Sequence, residues 1–194
     1  MPNAAGSNTC ASVLDQTKMN RKIVRAIALL GLFATATLVS CRWLRWATVD
    51  AKIRHDFPQV RRITTAELAA WLHDGQRKAP LLLDVRTEPE FAISHLRGAL
   101  RIEPGSSVAA LDVPKNEPIV TYCSVGYRSG EYAQKLDEAG YRNVVNLEGS
   151  IFKWANEGRP VYRGGRRVEK VHPFNKQWGA LLHEKLRADV PPAG

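Results

Sequence analysis

The residues able to do chemistry stand together in "TYCSVGYRSG", Thr121 to Gly130, where four residues separate Cys123 from Arg128. An apolar run, "PIVTYC", leads into the cysteine, and a helical pattern, "SGEYAQKLDEAG", follows it. Between them "CSVGYRS" can curl so that successive backbone N–H groups point inward, with Gly126 able to take positive φ. The helix start adds the positive end of its dipole. Thiols so placed have their pKa lowered to roughly 3.5–7.5 from about 8.5, which gives a thiolate at neutral pH. Arg128 offers a fixed planar cation to an anionic donor such as a thiosulfonate or sulfate-like group, and Ser124 and Ser129 offer hydroxyls. The competing reading is a buried, inert thiol. That would suit an all-apolar neighbourhood better than Gly, Ser and Arg, so Cys123 is the candidate nucleophile.

The elements that must position this loop alternate along the middle of the chain. "ITTAELAAWLHDG" opens on a capping box, Thr64 with Glu67, and sets Leu68, Trp71 and Leu72 on one helical face, with Gly75 to end it. "PLLLDV" and "PIVTYC" are short continuous apolar runs, as expected of strands covered on both faces. "TEPEFAISHL" repeats the capping-box spacing at Thr87 and Glu90. "ALRIE" and "NVVNL" read as further strands, "SSVAALD" and "SIFKWANEG" as helices. Tyr132, Ala133, Leu136 and Ala139 share one face of the helix after Cys123, which closes at Gly140. Such alternation implies a parallel sheet with helices on both sides. Ligands of such sheets gather beyond the carboxyl ends of the strands, where Asp84 and Cys123 fall.

Composition excludes several classes. The chain has 194 residues, 44% hydrophobic and 24% charged, with a formal net charge of +9. Residues 1–61 carry a net +6, residues 62–159 a net −1 and residues 160–194 a net +4. The basic excess therefore lies in the flanks, which favours a membrane surface over nucleic acid as the partner. Cys10, Cys41 and Cys123 form no CxxC pair and no ligand spacing with the five histidines, so no metal site is expected. No cofactor is implied. Cys123 is alone in residues 62–159, so chemistry there is single-thiol chemistry.

The N-terminus reads as an address, over residues 1–46. Arg21, Lys22 and Arg25 precede a charge-free run from Ala26 to Cys41, short for a spanning helix of about 20 residues and near the 7–15 of a signal segment. "LVSC", Leu38 to Cys41, resembles the bacterial lipobox, which would make Cys41 a lipidation site. An uncleaved short anchor is the alternative, favoured by Arg42 and Arg45 directly after the run. Membrane attachment by either route is expected. Residues 47–58 show no clear periodicity and read as a tether.

Three stretches in order, "LLLDVRTEPEFAISHLRGAL", "PIVTYCSVGYRSGEYAQKLDEAGY" and "VVNLEGSIFKWANEGRPV", resemble the rhodanese sulfurtransferases over about residues 59–163. The resemblance implies an α/β, rhodanese-like domain with a five-stranded parallel sheet. It implies that Cys123 carries a persulfide and that Ser124, Val125, Gly126, Tyr127 and Arg128 cradle it. Asp84 and Arg86 match signature positions that mainly hold the fold and loop, and His95 matches a structural position. The partners implied are a small sulfur donor and a thiol or cyanide acceptor. Neutral Ser124 and Val125 and bulky Tyr127 depart from the family's best-known donor patterns, and only Arg128 argues for an anion. The alternatives are a membrane-tethered module that binds a partner protein without catalysis, and a cysteine phosphatase or arsenate reductase. Related phosphatases carry one more residue between Cys and Arg. Residues 164–194 form a basic extension in which Trp178, Leu181, Leu182 and Leu186 share a helical face, expected to pack back on the domain or, second, to lie on a membrane.

Overall fold

The computed structural model describes residues 44–190. The charge-free run 26–41 and Cys41 lie outside them, so the expected signal or anchor does too. Among the described residues no helix is long and apolar enough to cross a membrane.

Five parallel strands form the sheet: β1 (Arg62–Ile63), β2 (Leu81–Asp84), β3 (Leu100–Arg101), β4 (Ile119–Tyr122) and β5 (Val144–Leu147), in the order β1-β5-β4-β2-β3. The helices are α1 (residues 44–56), α2 (Thr65–His73), α3 (Glu88–Ile93), α4 (Tyr127–Glu138) and α5 (Ser150–Asn156). This is the α/β architecture that the alternation of strand and helix patterns predicts. The period-two geometry of strands divides their side chains between two faces. Leu82, Val120 and Leu147 pack with α2 and α5, through Leu68, Ile151 and Phe152. Leu83, Ile119 and Val144 pack with α4, through Tyr132, Ala133 and Leu136. Full burial of such side chains contributes about 1.5–3 kcal/mol each, so these two layers hold the sheet together.

Four expectations are corrected. Residues 47–58 are not a tether: helix continues through residue 56, and Trp46, Val49 and Ile53 pack onto the core. Asp50 of α1 accepts from Arg62 at 2.9 Å, which ties the helix to the edge strand β1. Leu72 does not share the buried face of α2; it is an exposed side chain. The helix after Cys123 begins two residues earlier than its pattern suggests, because Gly126 takes φ 111 and starts α4 at Tyr127.

The extension is not one long amphipathic helix. A two-stranded antiparallel hairpin, β6 (Val161–Arg163) with β7 (Arg166–Val168), comes first, followed by a short α6 (Lys176–Gly179) and a 3-10 turn at Glu184–Leu186. Gly179 explains the break: a Cβ there would stand 2.9 Å from the Pro173 Cβ, so only glycine lets the chain fold back this tightly. Asn156 then pins the return, its side chain bonding the Leu181 carbonyl and the His183 N–H at 2.8 Å each. Leu181 and Leu182 are buried against the domain, as the first of the two expectations for this segment had it.

Candidate active site

β4 carries Cys123 to the carboxyl edge of the sheet, and the two helices that follow β4 and β5 close on it. From α5, the Ser150 hydroxyl accepts the Cys123 N–H at 3.1 Å. The N–H groups of Ile151 and Phe152 donate to the Cys123 and Ser124 carbonyls at 3.2 and 3.1 Å. Asn146 of β5 donates to the Gly126 carbonyl at 2.9 Å. The carbonyls of Cys123, Ser124 and Gly126 thus have partners that hold the loop, and one loop N–H reaches the sulfur. That of Gly126 donates to Cys123 Sγ at 3.1 Å. This conformation needs Gly126 to be glycine. At φ 111 a side chain is strained, and a Cβ would also meet Ile53 of α1 at 3.3 Å.

Burial pushes the Cys123 thiol up, yet its pKa lies below the ordinary value. The Arg128 charge and hydrogen bonds from Ser129 and Gly126 outweigh desolvation. A lowered pKa beside a cavity is what a nucleophilic cysteine needs, so Cys123 is the candidate nucleophile of the structure as well.

Arg128 does more than face the sulfur. Its guanidinium donates to both oxygens of Glu90, at 2.9 and 2.8 Å, and to the Ser124 hydroxyl at 3.1 Å. Glu90 is 1% exposed and also accepts from the Ser124 hydroxyl at 2.8 Å and from Thr87 N and Oγ1. Burial pushes its carboxyl up, and the bonds and charge of Arg128, with help from Ser124 and Arg86, bring it down to about 2. Glu90 was visible in the sequence only as the third residue of a capping box. It has that role, and both its oxygens reach Arg128 as well.

The other candidate residues fall as follows. Val125 and Tyr127 line the cavity over Cys123, and the Tyr127 hydroxyl donates to Asp56 of α1 at 2.7 Å. Ser129 is fully buried, and its hydroxyl donates to Asn146 at 2.7 Å, within the protein. Asp84 and Arg86 form a buried ion pair at 2.6 Å, and Arg86 also donates to the Ser94 carbonyl at 2.6 Å. They brace the turn after β2 and stand behind the site. His95 stacks on Phe91 at 4.0 Å, a packing role.

Sequence reasoning missed the contribution of the flanks. Val49 and Lys52 of α1, with Phe174 and Trp178 from beyond β7, line the same cavity as Cys123. Among the described residues no cluster of three or more His, Cys, Asp or Glu side chains is placed to hold a metal ion.

Comparison with known proteins agrees with this fold. The family model for the rhodanese-like domain matches residues 64–157. A curated sulfurtransferase of Allochromatium vinosum is 35% identical over 82 residues, covering 42% of this chain and 77% of that protein. The probable adenylyltransferase/sulfurtransferase MoeZ of Mycobacterium tuberculosis is 37% identical over 103 residues, covering 50% of this chain. The chain spans 25% of the length of that relative. The crystal structure of the BH2092 protein from Bacillus halodurans has the same fold, with a TM-score of 0.51 at 20% identity, over 68% of this chain and 97% of that one. A parallel sheet with a cysteine at its carboxyl edge defines the class, and the chain belongs to the rhodanese-like sulfurtransferase family.

Proposed function

We propose that Cys123 takes a sulfane sulfur from a donor and passes it to a thiophilic acceptor as a persulfide. The observation that carries this reading is the Gly126 N–H on Cys123 Sγ at 3.1 Å, with the Arg128 charge lowering the thiol's pKa. With thiosulfate as donor, the Cys123 thiolate attacks the outer sulfur. A new S–S bond forms, the donor's S–S bond breaks, and sulfite leaves with the electron pair. An acceptor thiolate or cyanide then removes the outer sulfur and restores the Cys123 thiolate. No oxidant or reductant is needed.

Intact-mass analysis of the full chain after incubation with thiosulfate or glutathione hydropersulfide tests this. The expected result is one added sulfur, mapped by peptide to Cys123, absent in Cys123→Ser and released to cyanide as thiocyanate. Sulfur found on Cys10 or Cys41 with Cys123 unmodified would overturn the assignment.

A further inference from the structure

The cavity over Cys123 has more room and more apolar wall than the transfer of one sulfur atom requires. Its volume is about 320 Å³, within the range of roughly 300–1,000 Å³ that holds organic ligands. Val49 enters from α1, Val125 from the loop, and Phe174 and Trp178 from the extension. Two cations also line it, and each already has a carboxylate. Arg128 binds Glu90 through two hydrogen bonds, and Lys52 binds Asp56 at 2.7 Å. A small dianion here must break one of these pairs or give up water without a counter-charge, which is costly. An apolar group gains by leaving water for the same walls.

Phe174 shows how firmly the wall is set. Its φ of 64 lies in the left-handed region, which side chains rarely adopt. His172 Nδ1 accepts the Phe174 N–H at 2.9 Å and holds the turn. Conformations of this kind persist where the surroundings over-determine them. Here the turn lays the ring by Arg128, whose guanidinium carbon is 4.8 Å from the ring centroid. The aromatic face covers part of the Arg128 guanidinium and adds an apolar surface to the cavity.

We infer that this cavity seats the apolar body, aryl or branched alkyl, of a thiol or hydropersulfide substrate whose sulfur meets Cys123. The inference rests on the persulfide reading above and names its substrate class. With a hydropersulfide donor, RS–SH, the Cys123 thiolate attacks the outer sulfur and forms the new S–S bond. The donor's own S–S bond breaks, RS⁻ leaves with the electron pair, and the outer sulfur's proton passes to it. The reverse step serves an acceptor thiol, which leaves as its hydropersulfide.

Two independent ratios test the cavity on the full-length protein. N-benzyl-2-iodoacetamide and iodoacetamide share a reactive group, so their relative rates at Cys123, normalised to free cysteine, read the cavity without sulfur transfer. The benzyl probe should be favoured about tenfold or more, as an aromatic body in an apolar pocket is. That preference should collapse in Trp178→Ala and survive in Trp178→Phe. For transfer, the Cys123 persulfide is discharged with benzyl mercaptan or 2-mercaptoethanol and followed by mass, with the same order of preference expected. Ratios cancel a loss of protein but not unfolding, so circular dichroism must show each variant folded before its ratio counts. An alkylation ratio near one overturns the cavity's role in binding. A preference in alkylation with none between the two thiols overturns its role in transfer. If neither thiosulfate nor hydropersulfide ever loads Cys123, the sulfurtransferase reading fails, and the alkylation ratio still judges the cavity by itself.

Discussion

Glu90→Gln tests the arrangement around Cys123 most severely, because it removes a charge and keeps the shape. In the folded protein the Glu90 carboxyl sits at about 2 instead of 4.5. At about 1.4 kcal/mol per pKa unit this corresponds to roughly 3 kcal/mol of stability at neutral pH. Because the folded value is the lower one, that contribution is fully present above about pH 5 and is lost as pH falls through about 2. Urea denaturation of wild type and Glu90→Gln should therefore show a gap of about 2–3 kcal/mol at pH 7 that closes as pH approaches 2. The same substitution leaves Arg128 without its carboxylate. A freed guanidinium binds an anion with a charge-assisted contact of about 1.5–3 kcal/mol. Loading of Cys123 by thiosulfate, relative to loading by an uncharged alkyl hydropersulfide, should then rise about tenfold or more. Two results would refute the reasoning: a stability gap that persists undiminished at pH 2, or a thiosulfate ratio unchanged by the substitution.

Arg128→Ala should raise the midpoint of the pH–rate profile for Cys123 alkylation towards the value of a free thiol, since the arginine's charge is the largest influence lowering it; an unmoved midpoint would contradict that role. Gly130→Ala places a Cβ 2.8 Å from Phe57 Cδ2, and should destabilise the protein by about 1–3 kcal/mol in urea. Paired with Phe57→Ala, which removes the clash, Gly130→Ala should cost less than it does alone. Hydrolysis of para-nitrophenyl phosphate should be negligible, because the two cations that line the cavity, Arg128 and Lys52, are bound to Glu90 and Asp56; turnover that depends on Cys123 would argue for a phosphatase.

The positions of Asp84 and Cys123 were legible because continuous apolar runs announce buried parallel strands, and their last residues then mark the edge where sites form. The loop was legible because Gly126 and the helix behind it obey local rules. β1 was not, since two residues carry no periodicity and the capping box of α2 follows at once. α1 did carry a signal: Trp46, Val49, Ile53 and Phe57 repeat at helical spacing. Within residues 47–58 only Val49, Ile53 and Phe57 carry it, and the polar and small residues between them hide a three-residue pattern. Glu90 was hidden by its own success as a cap, since one carboxylate served two partners and the nearer explained it. Phe174 and Trp178 could not be assigned to the site, because contacts between the end of the chain and a loop about fifty residues earlier leave no local pattern.

The order in which the cavity is completed has a consequence for the chain during its synthesis. Cys123, Arg128 and Glu90 are all made before Phe174 and Trp178, which finish the wall beside the sulfur. At roughly 5–20 residues per second, the intervening stretch of about fifty residues takes on the order of 3–10 seconds to make. The ribosome also holds back the newest residues, which lengthens the interval. For that time the nascent protein carries its nucleophile with one wall of the cavity missing, open to any disulfide or electrophile nearby. Ribosome-bound chains arrested before Phe174 should thus be alkylated at Cys123 by bulky polar reagents that the finished protein turns away.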